Sequence, residues 1–385
     1  MRSGPIRTGI VGLGFGRQVH LPALRLDRRF DVVALCGRSQ SRTRDQADRC
    51  GILRAFDDWR EMVTDPDIDA VTIAVAPDDQ PEIALSALNA GKAVFCEKPL
   101  ARSLHQAAML ARMARRTGLA NMVDFEFPAL ELWQKARSLL YAGSIGKLQH
   151  ISVNWSVRRR RRDPEKSGDW KDDAHRGGGL LNNFGSHVLD YLGWFAGQAV
   201  RVQGALQHGG EGTQASIQQV LLNLQFSQEV TASVTLSYCE GPENHHRIDL
   251  RGDAGSMVLE NRGRDYALGF RLWLQAHHGE EEIKIVRPGV EVDDGRIVPV
   301  STLIRRFGNW ITLGKPARPD FAQGLLVQGL LEATNFSLAR EGWVDVASFQ
   351  KSLSAAREVP AWAVTLQQQL EEARRQAQTQ EINYV

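Results

Sequence analysis

Over its first 120 residues the chain alternates between β-type and helical segments, and a glycine triplet makes the first switch. Ile6 to Val11 is a short apolar run ended by Gly12, and a helical stretch follows from Gly16 to Leu26. Asp31 to Cys36 is a second apolar run, followed by a polar helix that stops near Gly51. Ala70 to Ala76 reads as a strand buried on both faces, because apolar residues dominate it without alternation. Pro81 stands at a first helical position and Gly91 just past the end of PEIALSALNA, an asymmetry typical of helices. Ala93 to Cys96 is the next strand, and a helix from Ser103 to Thr117 is closed by Gly118. Strands joined by helices pair in parallel through right-handed crossovers. The expectation is α/β: an N-terminal Rossmann domain with a doubly wound parallel sheet over residues 1–122.

Beyond residue 123 the period changes. A helix from Glu131 to Tyr141 ends at Gly143, and strand-type alternation follows. Ile151, Val153, Trp155 and Val157 share one face, and His150, Ser152, Asn154 and Ser156 the other. Val230, Ala232, Val234, Leu236 and Tyr238 alternate in the same way with Thr231, Ser233, Thr235 and Ser237. Strands of this kind bury one face only, so residues 123–345 are expected to form an α+β domain with an open, largely antiparallel sheet. A helix from Asp320 to Arg340 closes that domain, and residues 346–385 form a helical extension interrupted by Pro360.

A length of 385 residues suits two domains. Lys and Arg total 47 against 45 for Asp and Glu, a balance unlike that of a protein built to neutralise nucleic-acid phosphates. Cys36, Cys50, Cys96 and Cys239 lack the spacing of a disulfide framework or a zinc site, so no metal is expected. No apolar run approaches the roughly 20 residues of a membrane span, and the N-terminus has no secretion-type apolar region. A cytoplasmic protein without membrane or nucleic-acid partners is expected.

Gly12, Gly14 and Gly16 form GxGxG directly between strand and helix. A tight turn there lets a pyrophosphate approach backbone N–H groups at the positive end of a helix. Phe15 and Arg17 in the same turn, and Ala76 at the end of a later strand, are further expected cofactor contacts. An NAD site places an acidic side chain about 20 residues past the glycines, on the ribose hydroxyls. Here that segment reads Cys36-Gly37-Arg38-Ser39, with Arg42 shortly after. Arg38 can pair with a 2′-phosphate and stack on adenine, and Ser39 can donate to that phosphate or simply cap the helix. NADP is therefore expected over NAD.

AGKAVFCEKP at residues 90–99 and GGGLLNNFGSHVLD at 177–190, following GLGFG, resemble the Gfo/Idh/MocA family of NAD(P)-dependent oxidoreductases, over about residues 5 to 345. The resemblance implies a cis Lys98–Pro99 bond, Lys98 as the cation on the substrate oxygen, Glu97 near the nicotinamide ribose, and His187 as general acid/base. Physical reading agrees for Lys98, which follows a buried strand at the edge where open α/β sheets bind ligands. A cation there stabilises an alkoxide as hydride leaves carbon. Asn183 and His187 are four apart and share a helix face. Asn183 stands where the family usually has Asp. An amide carries no proton and cannot favour the imidazolium as a carboxylate would, though it can bond a sugar hydroxyl. Asp190 can orient the ring or anchor the helix. Pro81 replaces a histidine frequent in the family, and Glu126 lies where an arginine is often found.

Arg158 to Arg162 are five consecutive arginines, followed by acidic residues that can pair with them. One or two could meet an anionic substrate such as a nucleotide sugar or sugar acid, and Trp170 could stack on a sugar. The adjacent pairs His245-His246 and His277-His278 are unsuited to chelation on strands. These readings converge on an NADP-dependent oxidoreductase acting on a secondary alcohol or ketone of a sugar, polyol or nucleotide sugar. Two alternatives stand beside it: a family member that oxidises transiently to cleave a glycosidic bond, and a dinucleotide sensor without catalysis. Family members commonly oligomerise through the open sheet, and the Ser/Thr face of residues 231 to 237 would suit a homodimer or homotetramer.

Overall fold

The computed structural model describes residues 4–158, 178–209, 216–239, 244–265, 267–276, 279–285 and 292–355. Six parallel strands form the first sheet: β1 (Ile6–Val11), β2 (Phe30–Cys36), β3 (Arg54–Phe56), β4 (Ala70–Ile73), β5 (Ala93–Cys96) and β6 (Asn121–Val123), in the order β3-β2-β1-β4-β5-β6. Helices α1 (Leu21–Arg25), α2 (Gln40–Arg49), α3 (Trp59–Thr64), α4 (Gln80–Asn89) and α5 (Leu104–Thr117) connect them. Strand order reverses direction between β1 and β4, the switch point at which such sheets open a ligand crevice. β4 stops at Ile73, short of the expected Ala76, because the chain turns away there beside Gly12; Ala74 N–H still donates to Val11 O at 2.8 Å.

The second sheet has nine strands and is mixed but mostly antiparallel. After α6 (Glu131–Tyr141) come β7 (Leu148–Arg158), α7 (Ser186–Ala196), β8 (Ala199–Gly209), β9 (Ser216–Phe226), β10 (Thr231–Cys239), β11 (His245–Gly252), β12 (Ser256–Asn261), β13 (Arg271–Ala276) and β14 (Gly279–Ile283). α8 (Ile297–Leu313), α9 (Phe321–Arg340), β15 (Val344–Asp345) and α10 (Val346–Ala355) complete the described chain. β7 and β10, the two strands with the plainest alternation, lie side by side and pair in parallel, Val153 opposite Val234 and Trp155 opposite Leu236. Their apolar faces are buried and their hydroxyl-bearing faces bond to each other: Ser152 to Ser233 at 3.0 Å and Ser156 to Ser237 at 2.9 Å. No described helix is long and apolar enough to cross a membrane.

Sequence gives no hint of the position of α8. Its Val300, Leu303, Ile304 and Phe307 are buried with Ile10, Leu35 and Phe95 of the first sheet, and Phe307 stacks on Phe30 at 6.2 Å. A helix late in the chain thus covers the parallel sheet. Asp320 caps α9 by accepting the Gln323 N–H at 2.9 Å.

Candidate active site

The carboxyl ends of β1, β2, β4 and β5 open into a cleft of about 2150 Å³ that continues to the second sheet. Gly12 has φ +111°, and a Cβ on it would lie 2.2 Å from Ala74 O. A Cβ on Gly14 would meet nothing, so this face of the turn is open for a ligand to approach the backbone. A Cβ on Gly16 would lie 2.8 Å from Ile10 Cγ2, and Gly16 is the one predicted cofactor residue that packs behind the turn instead of lining the cleft. Tight turn, open approach and close helix-to-strand packing are the three demands a pyrophosphate-binding turn makes of its glycines. Gly16 also begins a wide π-type turn, Gly16–His20, in which the Leu21 N–H reaches back to Gly16 O.

Gly12, Gly14, Phe15, Arg17, Arg38, Ser39, Arg42, Ala76, Glu97, Lys98, Asn183 and His187 all line this one cleft. Trp170 and Arg159 to Arg162 lie outside the described residues, as do His277 and His278, whereas Arg158 lines the cleft and its main-chain N–H donates to Asn244 Oδ1 at 2.8 Å. A Cβ on Gly37 would sit 2.6 Å from Leu13 Cδ1 and 2.8 Å from Thr43 Oγ1. The strand end thus carries no acidic side chain of the kind an NAD site uses, and a side chain at position 37 would have to push those of Leu13 and Thr43 aside. Arg38 and Ser39 follow it directly. Asp57, next to the Phe56 carbonyl that accepts the Gly37 N–H, lines the same end of the cleft and was not anticipated from sequence.

At the other end, the Lys98–Pro99 bond is cis. Lys98 Nζ donates to the main-chain oxygen of Asn183 at 2.9 Å, and Lys98 N–H donates to Glu97 Oε2 at 3.3 Å. Asn183 belongs to a second wide turn, Leu181–Gly185, which runs into α7 and places His187 in the cleft. The anchor for Lys98 is thus a backbone carbonyl, which any residue type at 183 supplies. His187 is buried among Phe125, Phe127 and Trp155, with the Phe127 ring at 5.1 Å and perpendicular to it. Burial, and after it the positive charge of Lys98 and the neighbouring His246, hold its pKa well below the usual imidazole value. The ring is therefore neutral near pH 7, the form that accepts a proton.

Asp190 does not orient that ring. Its Oδ1 accepts from Gln323 Nε2 at 3.0 Å, tying α7 to α9, and burial pushes its carboxyl up to about 7. The carboxylate nearest His187 is Glu126, whose Oε2 lies 3.6 Å from Nδ1, with both side chains almost wholly buried. Among the described residues Nδ1 makes no hydrogen bond. Sequence reading noted Glu126 only as a departure from a family pattern, because nothing in the spacing of residues 126 and 187 announces that they meet. Behind them His246 stacks flat on Trp155 at 4.1 Å, and its Nε2 meets Tyr191 Oη at 3.0 Å. That histidine is structural.

Fold and cleft together define an oxidoreductase built on a Rossmann dinucleotide-binding domain. The family model described as "Oxidoreductase family, NAD-binding Rossmann fold" matches residues 6–125, and that of the "GFO/IDH/MocA C-terminal domain" matches 133–258. The chain belongs to the Gfo/Idh/MocA family. It is 26% identical over 373 residues to an uncharacterized oxidoreductase of Synechocystis, covering 92% of this chain and 99% of that one. It is 26% identical over 344 residues to a levoglucosan dehydrogenase of Pseudarthrobacter phenanthrenivorans, covering 78% and 86%. A 3-ketoreductase of Actinomadura kijaniata, solved with NADP and TDP-benzene, shares the fold with a TM-score of 0.73 at 24% identity, over 87% of this chain and 98% of that one.

Proposed function

We propose that this chain passes a hydride between NADP and a secondary alcohol or ketone of a sugar, polyol or nucleotide sugar, with Lys98 and His187 as the reacting pair. The observation that carries this is the placement of Lys98 Nζ and His187 in the cleft that the glycine turn opens at its other end. The glycine turn, Arg38, Ser39 and Arg42 would hold the dinucleotide, and its nicotinamide would supply or take up the hydride. Lys98 would donate to the substrate oxygen and stabilise its negative charge as the C–H bond breaks. His187, neutral and desolvated, would take the hydroxyl proton in the oxidative direction and return it in the reductive one. The Glu126 carboxylate beside Nδ1 would balance the imidazolium so formed, a part that the Asn183 amide cannot take. Asn183 can instead bond a substrate hydroxyl. A relative named for levoglucosan supports a sugar-like substrate. Arg158 and Arg264 in the cleft suit an anionic one. The proposed compartment is the cytoplasm.

NADP is preferred over NAD in this reading because position 37 carries no carboxylate and Arg38 follows it. We expect NADPH to bind at least about tenfold more tightly than NADH, about 1.4 kcal/mol, with the gap narrowed in Arg38→Ala. Fluorescence titration of both nucleotides reads this. Equal affinities or a preference for NADH would contradict it.

The hydroxyl-bearing face of β10 and β7 is proposed as the contact with a second copy, giving a homodimer or homotetramer. Sedimentation at micromolar concentration should then report an oligomer, and a clean monomer would contradict it.

A further inference from the structure

The described residues bring one further group of ionisable side chains together in the interior. His20 ends the wide turn after the glycines, Glu97 follows β5, and Asp124 follows β6. His20 is fully buried, and its Nε2 lies 3.1 Å from Glu97 Oε1 and 3.3 Å from Asp124 Oδ2. Phe15 and Phe95 meet the imidazole edge-to-face, at 5.4 and 5.2 Å between centroids, and fix its plane. Glu97 Oε2, the oxygen turned away from His20, accepts the Lys98 N–H. A continuous set of contacts thus runs from the phosphate-binding turn through His20 and Glu97 to Lys98.

We infer that His20 is a positioning residue for hydride transfer: as an imidazolium between Glu97 and Asp124, it keeps Glu97 charged and aimed at the Lys98 main chain, and so fixes the cation that meets the substrate oxygen. The inference rests on the reading of Lys98 given above. Two carboxyl groups around one imidazole in a dry site compete for the charge they carry. Burial, and after it the charges of Glu97 and Glu126, raise Asp124 well above the carboxylate range in spite of His20, so of the two carboxyl groups Asp124 takes up a proton more readily. Burial also opposes the charge on Glu97, but the hydrogen bond and charge of His20, together with Lys98, hold its carboxyl below the usual value. For His20, burial disfavours the imidazolium, and the carboxyl groups of Asp124 and Glu97 close to Nε2 overcome it, raising the pKa to about 9. Phe15 and Phe95, which meet the ring edge-to-face, carry no charge.

His20→Gln tests this, since a Gln amide can place an N–H near the position of Nε2 without the charge. We expect kcat to fall at least about tenfold and the alkaline limb of the pH–rate profile, near pH 9 in the parent, to disappear. The dissociation constant for NADPH should move less than about threefold, because the glycine turn and Arg38 are untouched. A His20→Gln protein with parental kcat and an unchanged alkaline limb would overturn the inference. If that variant does not fold, nitrogen-15 NMR of the parent's 10 histidines decides. One ring should remain doubly protonated above about pH 8, well past the ordinary histidine range. No such ring would overturn the inference, as would one equivalent of divalent metal retained by the purified protein, because the three ligand atoms lie within 4.8 Å of one another. The two failures are distinguishable: the NMR titration judges the cluster whether or not the parent transfers hydride, and a parent without hydride transfer fails the reading of Lys98 itself.

Discussion

Lys98→Met should slow single-turnover hydride transfer by at least about 10²–10³-fold, the cost of removing a donor aimed at developing negative charge. Methionine keeps the length and apolar stem of the side chain and loses the ammonium that donates to Asn183 O. Cofactor affinity should survive nearly intact, since the glycine turn, the helix end behind it and Arg38 lie in other segments. A second readout comes with the variant. The Lys98 charge helps to hold His187 in its neutral form, so losing it should let the imidazole pKa rise. The acid limb of whatever residual activity remains should therefore move to higher pH. A parental rate in Lys98→Met would remove that residue from the chemistry.

The second large effect is expected at the proton-transfer end. His187→Ala should remove general-base assistance and with it about 10²–10⁴-fold in rate. Glu126→Gln and Asn183→Asp should then shift the pH profile in opposite directions. Removing the carboxylate 3.6 Å from Nδ1 disfavours the imidazolium, so in the oxidative direction the acid limb of Glu126→Gln should move to lower pH while the rate falls. Placing a carboxylate one helical turn before His187 favours the imidazolium, so the limb of Asn183→Asp should move to higher pH. Rates across the pH range with substrate saturating would read both. Profiles that ignore both changes would show that the ring carries no proton in the reaction.

What could be read from the sequence and what could not divide along a physical line. The glycine turn, Arg38, Lys98 and His187 were legible because each sits in a local pattern: a strand end, a helix start or a helical spacing of four. Glu126 was only noted and His20 was missed, since their meaning lies in tertiary contact. His20 and Glu97 are 77 residues apart, and no periodicity links them. α8 was missed for the same reason, because its apolar face is matched to the first sheet across the whole of the second domain. Alternation in β7 and β10 gave the buried face of each strand correctly, yet their parallel pairing depends on a long connection that strand patterns do not encode. Asp190 is instructive in the other direction. A carboxylate three residues from His187 could orient the ring or anchor the helix, and its contact to Gln323 favours the anchoring role.

The central claim is that this cleft performs hydride transfer on a sugar-like carbonyl or alcohol. Reduced NADP carrying deuterium at nicotinamide C4, incubated with keto-sugars and keto-nucleotide-sugars, tests it most directly, with mass spectrometry of the product reading the label. The account predicts deuterium on the newly formed carbinol carbon with the parental protein, and label transfer at least about a hundredfold slower with Lys98→Met or His187→Ala. Tight NADPH binding with the label retained on the nicotinamide for every such substrate would contradict it, and would leave a dinucleotide-binding protein that does no hydride chemistry.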